Sequence, residues 1–117
     1  MVRNMKKSPL APEKFPVMAV VEGLEITTAS TGIKYKNRDD LMIIKMIEGT
    51  SVAGFLTQSS TCSAPVEWCR KNLPSGDAIA LIVNAGNANA FTGSMGETAV
   101  NECVNALADI FSCRPSR

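Results

Sequence analysis

Apolar positions in this chain fall into short, dense runs, each closed by polar or turn-forming residues. Residues 41–47 (LMIIKMI) are nearly all apolar and too few for a typical helix, so the run predicts a strand. After the turn Glu48-Gly49-Thr50-Ser51, residues 52–57 (VAGFLT) read as the return strand of a hairpin. Residues 78–83 (AIALIV) predict another strong strand. Upstream, residues 17–21 are apolar and β-branched and predict a strand broken at Gly23, with a second piece over 24–28. A half-exposed strand would alternate apolar and polar residues. These runs scarcely alternate, which implies a sheet covered on both faces.

Two stretches carry helical spacing instead. Residues 63–73 (SAPVEWCRKNL) predict a short helix with Ser63 as its cap, since its hydroxyl can accept a free first-turn N–H. Pro65 is tolerated there because first-turn amides lack intrahelical partners, and Arg70 and Lys71 suit the negative end of the dipole. Trp68, Cys69 and Leu73 form its packed side. Residues 95–111 predict a longer helix. Val100, Val104, Leu107 and Phe111, joined by Cys103 and Ile110, make one apolar face, and Ser94 and Glu97 have the spacing of a capping box. Residues 1–16, with Pro9, Pro12 and Pro16, read as an extended arm, and residues 29–40 as a loop. Asp39 and Asp40 fall in that charged loop and read as solvated, while Met42 and Met46 read as core filling. Strands, a short helix, a strand and a longer helix make an α+β pattern of sheet and helix layers.

Composition narrows the function classes. The chain has 117 residues, enough for one domain, and 45% of them are hydrophobic. A net charge of +1 speaks against electrostatic binding to nucleic acid or an anionic membrane. The one basic cluster, Arg3, Lys6 and Lys7, is followed by Ser8, Pro9 and Pro12 in place of an apolar signal core, so it reads as a basic terminus. No apolar run reaches the roughly 20 residues that cross a bilayer. The four cysteines, Cys62, Cys69, Cys103 and Cys113, form no CxxC pair, and there is no histidine. Zinc with its usual ligands and histidine-based triads are thereby disfavoured. The thiols read as reduced, cytoplasmic and mostly core-filling.

Chemistry concentrates in the run Asn84-Ala-Gly-Asn-Ala-Asn-Ala-Phe-Thr-Gly93, which joins the third strong strand to the long helix. A helix start offers unpaired N–H groups and about half a positive charge, and small residues let a ligand approach the backbone. The run is neither a Walker loop nor GxGxxG, so nucleotide phosphates fit it poorly. An oxyanion hole for acyl transfer needs an N–H and a second donor aimed at an oxygen that gains charge, and Thr92 and Gly93 supply a hydroxyl and an unhindered amide. Asn84, Asn87 and Asn89 can hold a tight loop or touch a substrate. The residue types also allow a purely structural strand-to-helix turn, and composition alone leaves these uses open.

The same run resembles the signature N-[SA]-G-N-A-N-A-x-T-G of the ArgJ family of ornithine acetyltransferases/glutamate N-acetyltransferases. The order of flanking pieces is similar too: Thr31-Gly32-Ile33-Lys34, Arg38-Asp39-Asp40-Leu41, Val52-Ala-Gly-Phe-Leu-Thr57 and Ser63-Ala-Pro-Val66. The resemblance runs from about Ala11 to Phe111 and implies an α+β layered sandwich of the DmpA/ArgJ type, with residues 1–117 forming a single partial domain from the N-terminal part of the α chain. It implies a role in arginine biosynthesis: acetyl transfer from N-acetylornithine to glutamate, with acetyl-CoA as donor in some members and no bound cofactor. In the family, autocatalytic cleavage exposes a threonine as nucleophile at the head of the β chain, and two α and two β chains assemble. Thr92 and Gly93 then take the place of the oxyanion-hole pair.

The departure from the family lies at the cleavage site. Its K-G-x-G-M run followed by threonine is absent, as are the neighbouring lysine and threonine that contact substrate and the whole β chain. The expectation is therefore half of an active site, inactive by itself, with an apolar surface that would receive the missing half. A non-catalytic ligand-binding or interaction protein, or the product of a decayed gene, is the alternative.

Overall fold

In the computed structural model, which describes residues 8–34 and 36–117, the apolar runs build one three-stranded antiparallel sheet. Its strands are β1 (Leu24–Ala29), β2 (Leu41–Met46) and β3 (Ala80–Asn84), in spatial order β1-β2-β3. Leu24 pairs with Met46 at one end of the β1–β2 ladder, and Leu41 pairs with Asn84 at the other end of the β2–β3 ladder. Two helices follow the sequence-based expectation closely: α1 (Ala64–Asn72), extended by a 3₁₀ turn over Leu73–Ser75, and α2 (Gly93–Phe111). The basic cluster expected at residues 3–7 lies outside the described residues. Residues 8–16 form no helix or strand.

Two expected strands do not form. Residues 17–21 have no strand partner among the described residues, and Val17, Met18, Val20 and Val21 stay exposed. Regular pairing starts only after Gly23, whose φ of 84° turns the chain into β1. Residues 52–57 make no hairpin with β2. Both edges of β2 are already occupied, by β1 on one side and β3 on the other, so no ladder position is left for a return strand. The chain after β2 is instead tied to the segment before β3, by an isolated bridge between Ser51 and Asp77 and by the Val52 amide donating to the Gly76 carbonyl at 2.9 Å.

Register decides which side chains face the helices. Leu41, Ala80, Ile82 and Asn84 line a cavity of about 300 Å³ whose other wall is Trp68 and Cys69 of α1 with Val100, Cys103, Val104 and Leu107 of α2. Buried apolar residues among the described residues are confined to Leu107 and Ala108, 8% and 5% exposed, where α2 meets this layer. Of the apolar face expected on α2, Val100, Val104 and Phe111 are half-buried, whereas Cys103 and Ile110 are exposed. The opposite sheet face carries Ile26, Met42, Ile44, Met46, Leu81 and Val83, by alternation and cross-strand pairing. It is open: Ile26 is 61% exposed, Leu81 46% and Val83 43%. The expectation of a sheet covered on both faces is corrected accordingly, and Met42 and Met46 lie on the open face, not in a closed core.

Asp40 is a further correction. It is only 2% exposed, not solvated. Its carboxylate accepts from the Thr31 amide at 2.6 Å, the Thr31 hydroxyl at 2.8 Å and the Ile33 amide at 2.8 Å. The Thr31 amide, foremost, holds its pKa below the usual carboxylate range against the opposing effect of burial. Asp39, in contrast, stays exposed and accepts from the Thr28 hydroxyl.

Candidate functional site

The asparagine-rich run leaves β3 at Asn84 and is fixed first by its own backbone needs. The Ala85 amide donates to the Asp40 carbonyl at 2.8 Å, which ties the run to the head of β2. Gly86, at φ 104°, lies so close to the 31–34 loop that a Cβ there would come within 2.7 Å of the Lys34 Cβ. Asn84 and Asn87 serve the loop itself: Asn84 Nδ2 donates to the Asn87 carbonyl, and Asn87 Oδ1 accepts from the Asn89 amide at 3.1 Å. For these two residues the structural use of asparagine prevails.

Asn89 is used differently. It sits at φ 49°, a left-handed conformation that asparagine accepts more readily than most residues. Its carbonyl accepts from the Ala64 amide at 3.2 Å and so satisfies the start of α1. Its side-chain Nδ2 donates to the Gly96 carbonyl at 2.9 Å, and its Oδ1 accepts from the Thr92 hydroxyl at 2.8 Å. One residue thus joins the starts of both helices.

α2 begins at Gly93 with Thr92 at the cap position. The expected Ser94–Glu97 capping box does not form, because Ser94 already lies inside the helix. The Thr92 hydroxyl makes no cap bond either. Among the described residues the amides of Gly93, Ser94 and Met95 therefore find no acceptor, and the first engaged amide is that of Gly96, donating to the Thr92 carbonyl. Thr92 and Gly93 are both exposed and line a cavity of about 880 Å³, shared with Ser60, Thr61, Cys62, Trp68, Asn89 and Phe91. Phe91 holds φ 57° and is 86% exposed at the mouth of this cavity, so a bulky apolar residue stands in a strained conformation facing open space.

Across the cavity, the start of α1 carries a charged cluster. Ser63 occupies its cap position without a side-chain bond, against expectation; the Ser63 carbonyl accepts from Val66 and Glu67 instead. Cys62 Sγ donates to Glu67 Oε1 at 2.8 Å, and Arg70 reaches Cys62 at 3.4 Å, Glu67 at 3.2 Å and the Thr57 carbonyl at 2.7 Å. The bond from Cys62, then the charge of Arg70, hold the Glu67 carboxyl below its usual range. Cys62 is thus a polar partner and not core filling. Cys69 fits the core reading better, since burial pushes its thiol up. All four thiols are unpaired.

Three participants escaped the reading of the sequence. Gly96 is buried in the first turn of α2, where a Cβ would run into the Thr92 hydroxyl and come within 2.8 Å of Asn89 Oδ1. A glycine in a helix interior is unfavourable, and that departure was the available signal. Asp40 and the Cys62–Glu67–Arg70 cluster had no such local mark. Among the described residues no three or more His, Cys, Asp or Glu side chains cluster so as to hold a metal ion, and no helix is long and apolar enough to cross a membrane.

The profile of the ArgJ family matches residues 25–117. The chain belongs to the ArgJ family. It is 52% identical over 106 residues to the arginine biosynthesis bifunctional protein ArgJ of Mesorhizobium japonicum, and 49% identical over 109 residues to that of Bradyrhizobium diazoefficiens. These alignments cover 91% and 93% of the chain, and the chain spans 26% of the length of each ArgJ relative. The fold is that of ArgJ structures. The arginine biosynthesis bifunctional protein ArgJ of Bacillus halodurans superposes with a TM-score of 0.76 at 28% identity, over 81% of this chain and 50% of that one. The ornithine acetyltransferase of Mycobacterium tuberculosis, solved in complex with ornithine, gives 0.74 at 30% identity, over 78% and 48%. The antiparallel sheet with helices on one face is therefore a part of the ArgJ α+β fold.

Proposed function

We propose that this chain supplies the oxyanion hole of an acetyl-transfer site that carries acetyl from N-acetylornithine to glutamate. The carrying observation is the start of α2, a 19-residue helix: the exposed Thr92 and the unengaged Gly93 amide belong to a cavity wall, and the next two amides are unengaged too. The nucleophile would be a threonine at the head of a complementary β chain, with its own α-amine as base, which accounts for chemistry without histidine. Its hydroxyl attacks the acetyl carbonyl while the amine takes the proton. The oxygen that becomes negative is met by the Gly93 amide and the Thr92 hydroxyl, reinforced by about half a positive charge from the helix. Collapse breaks the bond to ornithine, whose leaving nitrogen takes the proton. The amine of glutamate then attacks the acetyl-threonine through a second oxyanion in the same hole, and its collapse breaks the ester bond, the threonine oxygen taking up the proton that the attacking amine gives to the α-amine. Acetyl-CoA would enter as an alternative donor, and no bound cofactor takes part.

Loss of one such donor typically lowers kcat about 100- to 1,000-fold. Thr92→Ala, in the enzyme assembled from this chain and its β complement, is expected to do so with little change in KM, because the contact strengthens only in the transition state. The chain without its complement is expected to transfer no acetyl. An unaltered kcat for Thr92→Ala, or turnover by the chain alone, would refute the proposal.

A further inference from the structure

We propose that Asn89 is a positioning residue that withholds the Thr92 hydroxyl from neutral oxygens and releases it to charged ones; this rests on the oxyanion reading above. The argument starts from the orientation of a side-chain amide, which is fixed by its partners. The Gly96 amide is turned to the Thr92 carbonyl, and towards Asn89 Gly96 presents its own carbonyl, so the donor end of Asn89, Nδ2, must face it, at 2.9 Å. Oδ1 must then face Thr92, and an amide oxygen only accepts. The hydroxyl, 2.8 Å away, is therefore the donor.

A hydroxyl has one proton. In the resting site that proton is committed to Asn89, with the Asn89 carbonyl at 3.3 Å as its second nearby acceptor. Thr92 thus presents lone pairs to the cavity. A substrate carbonyl, a neutral acceptor, competes for the proton with another neutral amide oxygen and gains almost nothing by winning it. An oxygen bearing negative charge forms a bond about twice as strong and draws the proton away by rotation about the Cβ–Oγ1 bond, with no movement of the backbone. The same exchange that is neutral in the ground state is favourable in the transition state. Asn89 turns a donor that would bind both states into one that favours the transition state.

The surroundings hold this arrangement. Asn89 is anchored through its carbonyl to the start of α1 and through Nδ2 to α2, so Oδ1 stays in place when the hydroxyl leaves it. Gly96 leaves the space in which the Thr92 hydroxyl and Oδ1 meet.

The test is a pair of substitutions that tolerate φ 49°, Asn89→Gly and Asn89→Asp, assayed in the assembled enzyme beside Thr92→Ala. Removing the side chain in N89G frees the hydroxyl to bind the neutral carbonyl and the oxyanion alike, so KM is expected to fall and kcat/KM to rise about fivefold, the worth of one ordinary hydrogen bond. In N89D the acceptor becomes anionic, holds the proton in both states and repels the oxyanion. There kcat is expected to fall at neutral pH, and to recover towards acid as the new carboxylate is protonated. An effect on folding alone would raise KM in N89G or leave it unchanged; that result overturns the proposal while the oxyanion reading stands. If Thr92→Ala leaves kcat unchanged, both fall together.

Discussion

Replacing Gly96 with alanine sets two effects against each other. Gly96 lies within α2 and does not hold a positive φ, so by helix propensity alone alanine should stabilise by about 1 kcal/mol. The site opposes this. The new Cβ would overlap the Thr92 hydroxyl, approach Asn89 Oδ1 to 2.8 Å and approach the Thr92 Cβ to 3.1 Å. Rotating Thr92 relieves the first contact but breaks its bond to Asn89, worth about 1 kcal/mol, and leaves the Cβ contact in place. Overpacking of this kind costs about 1–3 kcal/mol. The sum is a net loss of about 1–3 kcal/mol. Urea unfolding of the chain measures it directly. Ala106→Gly, at an exposed position of the same helix, calibrates propensity without the clash and should cost about 1 kcal/mol. A Gly96→Ala chain that gains about 1 kcal/mol would refute the reasoning, since it would mean that Thr92 and Asn89 do not occupy the space beside Gly96.

The remaining expectations concern packing, pH and the open face. Leu107→Ala, at the centre of the small buried core, should lower stability by about 2–3 kcal/mol, the low end for such changes, because a loosely packed neighbourhood can close around the gap; the same urea unfolding reads it. The Asp40 pKa is depressed, so its contribution to stability is present above the ordinary carboxylate range and is lost as pH falls through the lowered value. Melting temperature against pH should therefore drop on the acid side, below about pH 4, more steeply for the unaltered chain than for Asp40→Asn, which should start lower. The exposed Ile26, Leu81 and Val83 should make the chain associate with itself as concentration rises, and I26K with L81K should suppress this in sedimentation velocity; association unaffected by both changes would place the contact elsewhere.

How far the sequence was legible depends on whether a feature is set locally. α1, α2, β2 and β3 were, since each is a periodic or dense apolar stretch between turn residues. Residues 17–21 and 52–57 have equally strand-like composition, but a strand exists only with a partner edge. β3 arrives from far along the chain to take the edge of β2 that a hairpin would have used. Asp40 looks like its neighbour Asp39, and only the fold brings the Thr31 and Ile33 amides to it. The open sheet face could not be read from its own residues either, because an apolar run is the same whether its cover is present or not. In the candidate site, the position of Thr92 and Gly93 at the head of the long helix was legible from the strand-loop-helix pattern. The direction of the Thr92 hydroxyl was not, because it depends on Asn89 being turned by Gly96.

The most direct measurement is a crystal structure of the assembled enzyme holding a phosphonate mimic of the tetrahedral acetyl adduct. The account predicts one phosphonate oxygen about 2.7–3.1 Å from both Thr92 Oγ1 and the Gly93 amide nitrogen. A mimic whose oxygens are met by other groups, with the Thr92 hydroxyl still on Asn89 and the start of α2 unoccupied, would contradict it.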